Sequence, residues 1–161
     1  MSLRKERLSW VFIGALLAAV GVTAYFVLLP QLKPHLTLRL GDGIFNAQVV
    51  TPKEFAKYGT RDVDPLRKDK AVLRMYGRDG LWSIEMKNRQ EPFDLVWLSS
   101  EKKVVHIVKN ASADSTPSTL FSPLIDARYI IEMRGGMVDT KSIRIDQDAH
   151  FDENNIQGLQ L

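Results

Sequence analysis

Leu36, Leu38 and Leu40 alternate with Thr37 and Arg39, a period of two that predicts a half-buried strand. Gly41-Asp42-Gly43 follows as a tight turn, because glycine accepts positive φ, and residues 45–50 return as a second strand. Thr51-Pro52-Lys53-Glu54 predicts a helix start: Thr51 caps, Pro52 fits the first helical position and Glu54 completes a capping box. Phe55 and Tyr58 share one face of this helix, and Gly59 ends it. Residues 61–70 are charged and contain Pro65, which reads as a loop. Residues 72–76 form an apolar strand, and Arg78-Asp79-Gly80 turns it. Trp82, Ile84 and Met86 share one strand face, with Ser83, Glu85 and Lys87 on the other. Residues 93–98 are almost continuously apolar, as in a central strand, and residues 104–108 follow after a polar turn. A Ser/Thr/Pro-rich loop over 110–118 leads to a strand over 128–133, stopped by Gly135-Gly136. Ile143 and Ile145 indicate a further short strand or a helical turn leading into one. About eight short strands with one short helix predict a mainly β fold, a compact barrel or sandwich.

Ahead of this pattern lies a different one. Residues 8–29 carry no charge over 22 positions, about 33 Å as a helix, and Pro30 and Pro34 close the run. Trp10 and Tyr25 fall where interfacial aromatics would stand, and Arg4, Lys5 and Arg7 precede the run. The expectation is a retained single-pass transmembrane helix, favoured over a cleaved signal peptide because apolar residues continue through Leu29. The N-terminus would be inside and the rest of the chain extracytoplasmic. The expected organisation is a basic tail over 1–7, a transmembrane helix over 8–29, a stem over 30–35, a β-domain over 36–152 and a C-terminal tail over 153–161.

Composition narrows the chemistry. Apolar residues make up 45% and charged residues 25% of 161, ordinary values for a globular chain. There is no cysteine, which excludes disulfides, thiolate metal sites and thiol nucleophiles. Three of the 22 basic residues and one of the 19 acidic ones fall in the first seven positions, leaving 19 against 18. The body of the chain lacks the surplus that neutralises phosphates, so no nucleic-acid partner is expected.

The order of motifs from Phe45 to Phe151 resembles the DUF192 family of small, mostly exported prokaryotic β-rich domains. Trp82-Ser-Ile-Glu-Met86-Lys87-Asn88 followed by Pro92-Phe93-Asp94-Leu95 is similar to the family's aromatic–Met–Lys–Asn segment and its Pro-Leu-Asp strand. Val104-Val105-His106-Ile107 resembles the next strand, and Ala127 to Gly136 the alanine–Tyr–Val–Leu–Glu–x–x–x–Gly stretch. Two places depart from the family: Thr60-Arg61 follows Gly59 where Leu-Met is usual, and Asp146-Gln147 replaces Gly-Asp before the last strand. The resemblance implies a half-open β-barrel and supplies no reaction.

Four residues carry the candidate chemistry. Lys87 and Asn88 precede Pro92 and Asp94 follows it, so paired flanking strands would bring Lys87 and Asp94 together, either to bind a polar ligand or as an ion pair pinning the turn. Glu132 lies between apolar neighbours; a buried carboxylate needs a partner, and Arg128 and Arg134 share its face through the period of two. A structural carboxylate there would tie a loop down through backbone N–H groups. Asp146, Asp148, His150 and Asp152 alternate as a charged strand edge does. They fail the EF-hand template, which needs glycine at Phe151 and glutamate at Gln157. His35, His106 and His150 are too scattered for a transition-metal motif, and nucleophile-elbow and phosphate-loop motifs are absent. No metal or cofactor is expected. These observations point to an extracytoplasmic binding or accessory module for a small polar ligand, glycan or protein segment, with Lys87, Asn88, Asp94 and Glu132 as ligand-binding candidates. Two alternatives stand beside it: an envelope hydrolase using Asp94 and Glu132, and a structural subunit of a membrane complex.

Overall fold

The structure is a computed structural model that describes residues 17–18, 35–52, 67–86, 91–112 and 120–156, without the Asn155 side chain. The chain divides into two compact units, Met1–Lys33 and Pro34–Leu161. The first contributes only Leu17 and Ala18, both helical, with Leu17 67% exposed. This corrects the expected fold class: among the described residues no helix is long and apolar enough to cross a membrane. Absence of charge is one condition for a span. A continuous helix of about 20 residues is the other, and the rest of residues 8–29 lies outside the described residues.

The second unit is mainly β. Its strands are β1 (His35–Leu40), β2 (Gly43–Val50), β3 (Lys70–Gly80), β4 (Ile84–Glu85), β5 (Phe93–Leu98), β6 (Val104–Ala111), β7 (Leu120–Phe121) and β8 (Ala127–Arg134). Six strands form one sheet in the order β1-β2-β3-β8-β5-β6, and β4 and β7 form a separate two-stranded ribbon. All neighbours are antiparallel except β2 and β3.

The β1–β2 hairpin follows directly from its alternation: Leu36, Leu38 and Leu40 are buried and His35, Thr37 and Arg39 exposed. Its turn needs glycine. Gly41 has φ 55°, and a Cβ there would stand 2.2 Å from the Lys141 carbonyl oxygen, which accepts the Asp42 N–H at 2.8 Å. β5 is buried at all six positions because β8 and β6 flank it and both its faces are covered, as its apolar run anticipates.

The two faces have separate cores. The first gathers Leu38, Phe45, Leu73, Val96, Ile131 and Met133 with Val138, Ala149 and Phe151. The second gathers Val72, Leu95, Trp97 and Ile130 beneath Ile84 and Met86. Fully burying each of these large side chains contributes about 1.5–3 kcal/mol. A strap from the C-terminal part of the chain joins the sheet's two edges. Arg39 and His150 exchange both backbone hydrogen bonds at 2.9 Å, the Ala149 N–H donates to the Lys102 carbonyl at 2.8 Å and the Val104 N–H to Gln147 at 2.9 Å. Ala149 and Phe151 point into the core while Asp148, His150 and Asp152 stay exposed, so the alternating acidic positions lie on the outer side of this strap.

Several local expectations change. Arg78-Asp79-Gly80 continues β3 past a register shift between Met75 and Gly80 instead of turning the chain. Among the described residues, the strand around Trp82, Ile84 and Met86 shrinks to two paired residues, Ile84 opposite Phe121 and Glu85 opposite Leu120. After Gly136 a single helical turn, α1 (Met137–Thr140), takes over; its Val138 N–H is met by Asp94 and its cap residue makes no side-chain bond, so no local capping signal marks it. Ile143 is buried and Ile145 exposed in turn structure, not in a strand. Of the helix expected after Thr51, only Thr51 and Pro52 lie within the described residues, Pro52 helical and Thr51 buried.

Candidate functional site

Asp94 and Glu132 are both completely buried. In the β5–β8 ladder Asp94 stands opposite Met133 and Leu95 opposite Glu132. Directly opposed residues share a face and successive residues alternate, so Asp94 belongs to the first face and Glu132 to the second. A sheet separates the two carboxylates. The acid–base pairing of Asp94 with Glu132, and with it the hydrolase that would use the pair, is therefore corrected.

Asp94 serves the backbone. One carboxylate oxygen accepts the Asn110 N–H at 2.9 Å and the other the Val138 N–H at 2.7 Å. Asn110 takes φ 50°, at the far end of β6, and Val138 is in the first turn of α1. One side chain thus satisfies two amides that regular structure leaves unpaired, one of them at a helix N-terminus where negative charge is favourable. The loop-tying role weighed for Glu132 in the sequence belongs to Asp94.

Glu132 pairs instead with Arg74, whose Nε donates to Oε1. Arg74 is 7% exposed, and neither Arg128 nor Arg134 supplies the contact. The register explains it: Val72 stands opposite Glu132 and Arg74 opposite Ile130, so Arg74 is the diagonal neighbour on the same face. Val50 of β2 lies opposite Arg74 on the other side. Tyr76, two residues on, stands on the same face as Arg74, and burial pushes its phenol above the usual tyrosine range.

An aromatic layer covers this group. Tyr76 and Trp82 stack with centroids 4.3 Å apart and planes 6° from parallel, and the Arg78 guanidinium lies 5.6 Å from the Trp82 ring centre. Trp82 is fixed from two sides: its indole N–H donates to the Arg78 carbonyl at 3.1 Å, and its own carbonyl accepts the Trp97 indole N–H at 2.8 Å. The ribbon beyond it is held by the β4–β7 pairs and by a 2.7 Å contact between the Ser83 and Ser122 hydroxyls. Val50, Tyr76 and Trp82 are only half-buried.

Of the four residues singled out in the sequence, Glu132 is part of this cluster and Asp94 is across the sheet from it. Lys87 and Asn88 lie outside the described residues. Arg74 and Tyr76 were missed. The signal for Arg74 was the one that marked Glu132, a charged residue inside an otherwise apolar strand. Among the described residues no group of His, Asp and Glu is placed to hold a metal ion.

A six-stranded sheet with a buried ion pair under an aromatic stack defines a small β-domain that fixes polar groups within a packed face. The profile of the DUF192 family, described as Uncharacterized ACR, matches residues 37–151, and the chain belongs to that family. Two solved structures share the fold. One, from Sinorhizobium meliloti 1021 and described provisionally as a transcription regulator, is 17% identical with a TM-score of 0.62, covering 74% of this chain and 95% of its own. The other, a protein of unknown function from Novosphingobium aromaticivorans DSM 12444, is 16% identical with a TM-score of 0.62, covering 73% and 84%. No curated protein matches the chain by sequence.

Proposed function

We propose that this chain is a binding or accessory module whose ligand seat lies on the second face of the sheet, with Arg74 in its floor and the Tyr76–Trp82 stack as its wall. The observation that carries the reading is the buried Arg74–Glu132 pair directly beside half-buried Tyr76. A paired charge in a core is costly to desolvate, and apolar residues would pack there at least as well. Its presence beside a half-buried aromatic layer fits a site that orients a cation for a polar ligand. Glu132 is the positioning residue and Arg74 the contact. Lys87 and Asn88, which follow buried Met86 in the chain, stay in the proposal as further polar contacts; Asp94 leaves it. The transcription-regulator description of one fold neighbour would bring nucleic acid as a partner, but the balance of 19 basic against 18 acidic residues after position seven favours a small ligand.

The test is a two-dimensional NMR titration of the full chain with monosaccharides, dipeptides and small organic acids. The reading expects saturable shifts at Val50, Tyr76 and the Trp82 indole. Shifts centred on Asp94, Asn110 and Val138, or none anywhere, would remove it.

A further inference from the structure

The β4–β7 ribbon turns apolar residues both ways. Burial alternates along it: Ile84, Met86 and Pro123 are buried, whereas Leu81, Ser83 and Glu85 on one chain segment and Leu120, Ser122 and Leu124 on the other are exposed. Glu85 stands opposite Leu120, and the Ser83 and Ser122 hydroxyls meet at 2.7 Å. Gly80 opposite Ala127 keeps the two segments side by side beyond Leu81 and Leu124. The inner residues Ile84, Met86 and Phe121 close the second core. The outer ones pack on nothing there, yet Leu81 is 58%, Leu120 61%, Leu124 84% and the adjoining Ile125 54% exposed. Together these four leave roughly 500 Å² of apolar surface in water, the upper end of what a monomer's largest patch exposes.

We propose that this outer face docks a basic amphipathic helix of a partner protein, with the helix's apolar stripe on the leucines. Charge selects the occupant. Glu85 lies at one end of the leucine row and Asp126 just past the other, both exposed, and neither has an ion-pair partner among the described residues. The cations nearby are committed: Arg128 pairs with Asp79 at 2.7 Å, and Arg78 lies against the Trp82 ring. A second copy packed here across a two-fold axis would set acid against acid at both ends, whichever way the ribbons run. An anionic lipid surface meets the same repulsion. A helix with a basic residue beyond each end of its apolar stripe meets leucines with apolar side chains and both acids with cations. Leu120 and Leu124 are four strand positions apart, about 13 Å, which about nine helical residues span. The surface is the outside of the ribbon, so the proposal does not depend on the seat described above.

The full chain is titrated with a short helical peptide of leucine and lysine that carries one apolar stripe, and with the same peptide in which glutamate replaces lysine. The backbone amide resonances of Ser83, Glu85, Leu120 and Leu124 are followed. Saturable shifts with the lysine peptide, at least tenfold tighter than with the glutamate peptide, are expected. Leu120→Ser and Leu124→Ser should each weaken the lysine peptide about tenfold or more with an unchanged melting temperature, the worth of one leucine leaving an apolar contact. Glu85→Gln should weaken it about two- to fivefold, the range of an exposed charge pair. Equal affinity for the two peptides would overturn the basic character of the partner. Shifts at these amides on concentrating the chain alone, or with phosphatidylglycerol vesicles and neither peptide, would give the face to a second copy or to lipid and overturn the helix. No response at these amides to either peptide would overturn the docking face itself.

Discussion

Asp94 and Glu132 are one register step apart on neighbouring strands, and that step puts them on opposite faces of the sheet. Each buried carboxylate has a different solution to its burial. Asp94 accepts two backbone N–H groups, at 2.9 and 2.7 Å, whereas Glu132 takes the Arg74 guanidinium. The first ties β6 to α1; the second fixes a cation beneath the Tyr76–Trp82 layer.

Asp94→Asn should therefore destabilise the domain and leave the second face untouched. Asparagine keeps one acceptor but turns an NH2 group toward an amide that needs one. A buried donor left unmet costs about 1–3 kcal/mol, and the lost charge weakens the bond that remains. Urea unfolding should show a loss of about 2–4 kcal/mol, with the Trp82 indole resonance unmoved. A change below about 0.5 kcal/mol would mean that neither bond contributes what burial implies.

Arg74 and Glu132 should behave as a coupled pair. Arg74→Met takes the guanidinium away from a carboxylate that is 0% exposed, and Glu132→Leu takes the carboxylate away from the guanidinium. Each single change should cost about 3–5 kcal/mol. The double change removes both charges and should cost far less than the two single losses together. Additive losses in a double-mutant cycle would show that the pair contributes no mutual stabilisation.

Alternation made the hairpin legible from Leu36, Leu38 and Leu40, and the unbroken run from Phe93 to Leu98 marked the central strand, because burial on one face or on two writes itself directly into local sequence. The pairing of charges was not legible. Glu132 has cationic neighbours in sequence at Arg128 and Arg134, yet its partner Arg74 is 58 residues away and meets it only through the β3–β8 register. Sequence spacing carries no information about that register. Trp82 shows the reverse limit: its alternation with Ile84 and Met86 predicts a full strand, but among the described residues only Ile84 and Glu85 pair, because pairing needs a partner edge that alternation does not specify. The transmembrane reading rested on lack of charge over residues 8–29, and among the described residues no helix is long and apolar enough to cross a membrane.

Tyr129 predicts an alkaline limb of instability. Its hydroxyl donates to Glu153 Oε1 at 2.8 Å, Lys102 Nζ lies 3.1 Å from the same oxygen, and the ring meets Phe151 edge-on at 5.2 Å. Burial first, and the Glu153 bond second, raise the phenol above its ordinary value of 10.0. The folded state thus keeps a proton that the unfolded state releases as pH climbs past 10, so unfolding gains from each further rise. Stability from this group is fully present below pH 10 and declines above it. Urea midpoints measured from pH 8 to 11.5 should fall more steeply for the native chain than for Tyr129→Phe, which loses about 1 kcal/mol at neutral pH. Parallel curves would assign the alkaline loss to other groups.

Asp146 has φ 67° where relatives of this family tend to carry the glycine of a Gly-Asp pair. It begins the strap that joins the sheet edges: its N–H donates to the Val104 carbonyl at 2.9 Å, and its own carbonyl accepts Lys103 Nζ at 3.1 Å. Both are backbone groups, so they survive a change of side chain. A left-handed backbone costs a side-chain-bearing residue about 1–2 kcal/mol, less for Asp than for most, whereas glycine adopts it freely at some cost in unfolded-chain entropy. Asp146→Gly should leave stability equal or raise it by up to about 1 kcal/mol. Asp146→Val, β-branched and without a local polar group, should lose about 1–2 kcal/mol. Thermal and urea unfolding of the two variants measure the difference. If glycine were the more damaging of the two, the Asp146 side chain would have to contribute an interaction larger than the backbone strain it imposes.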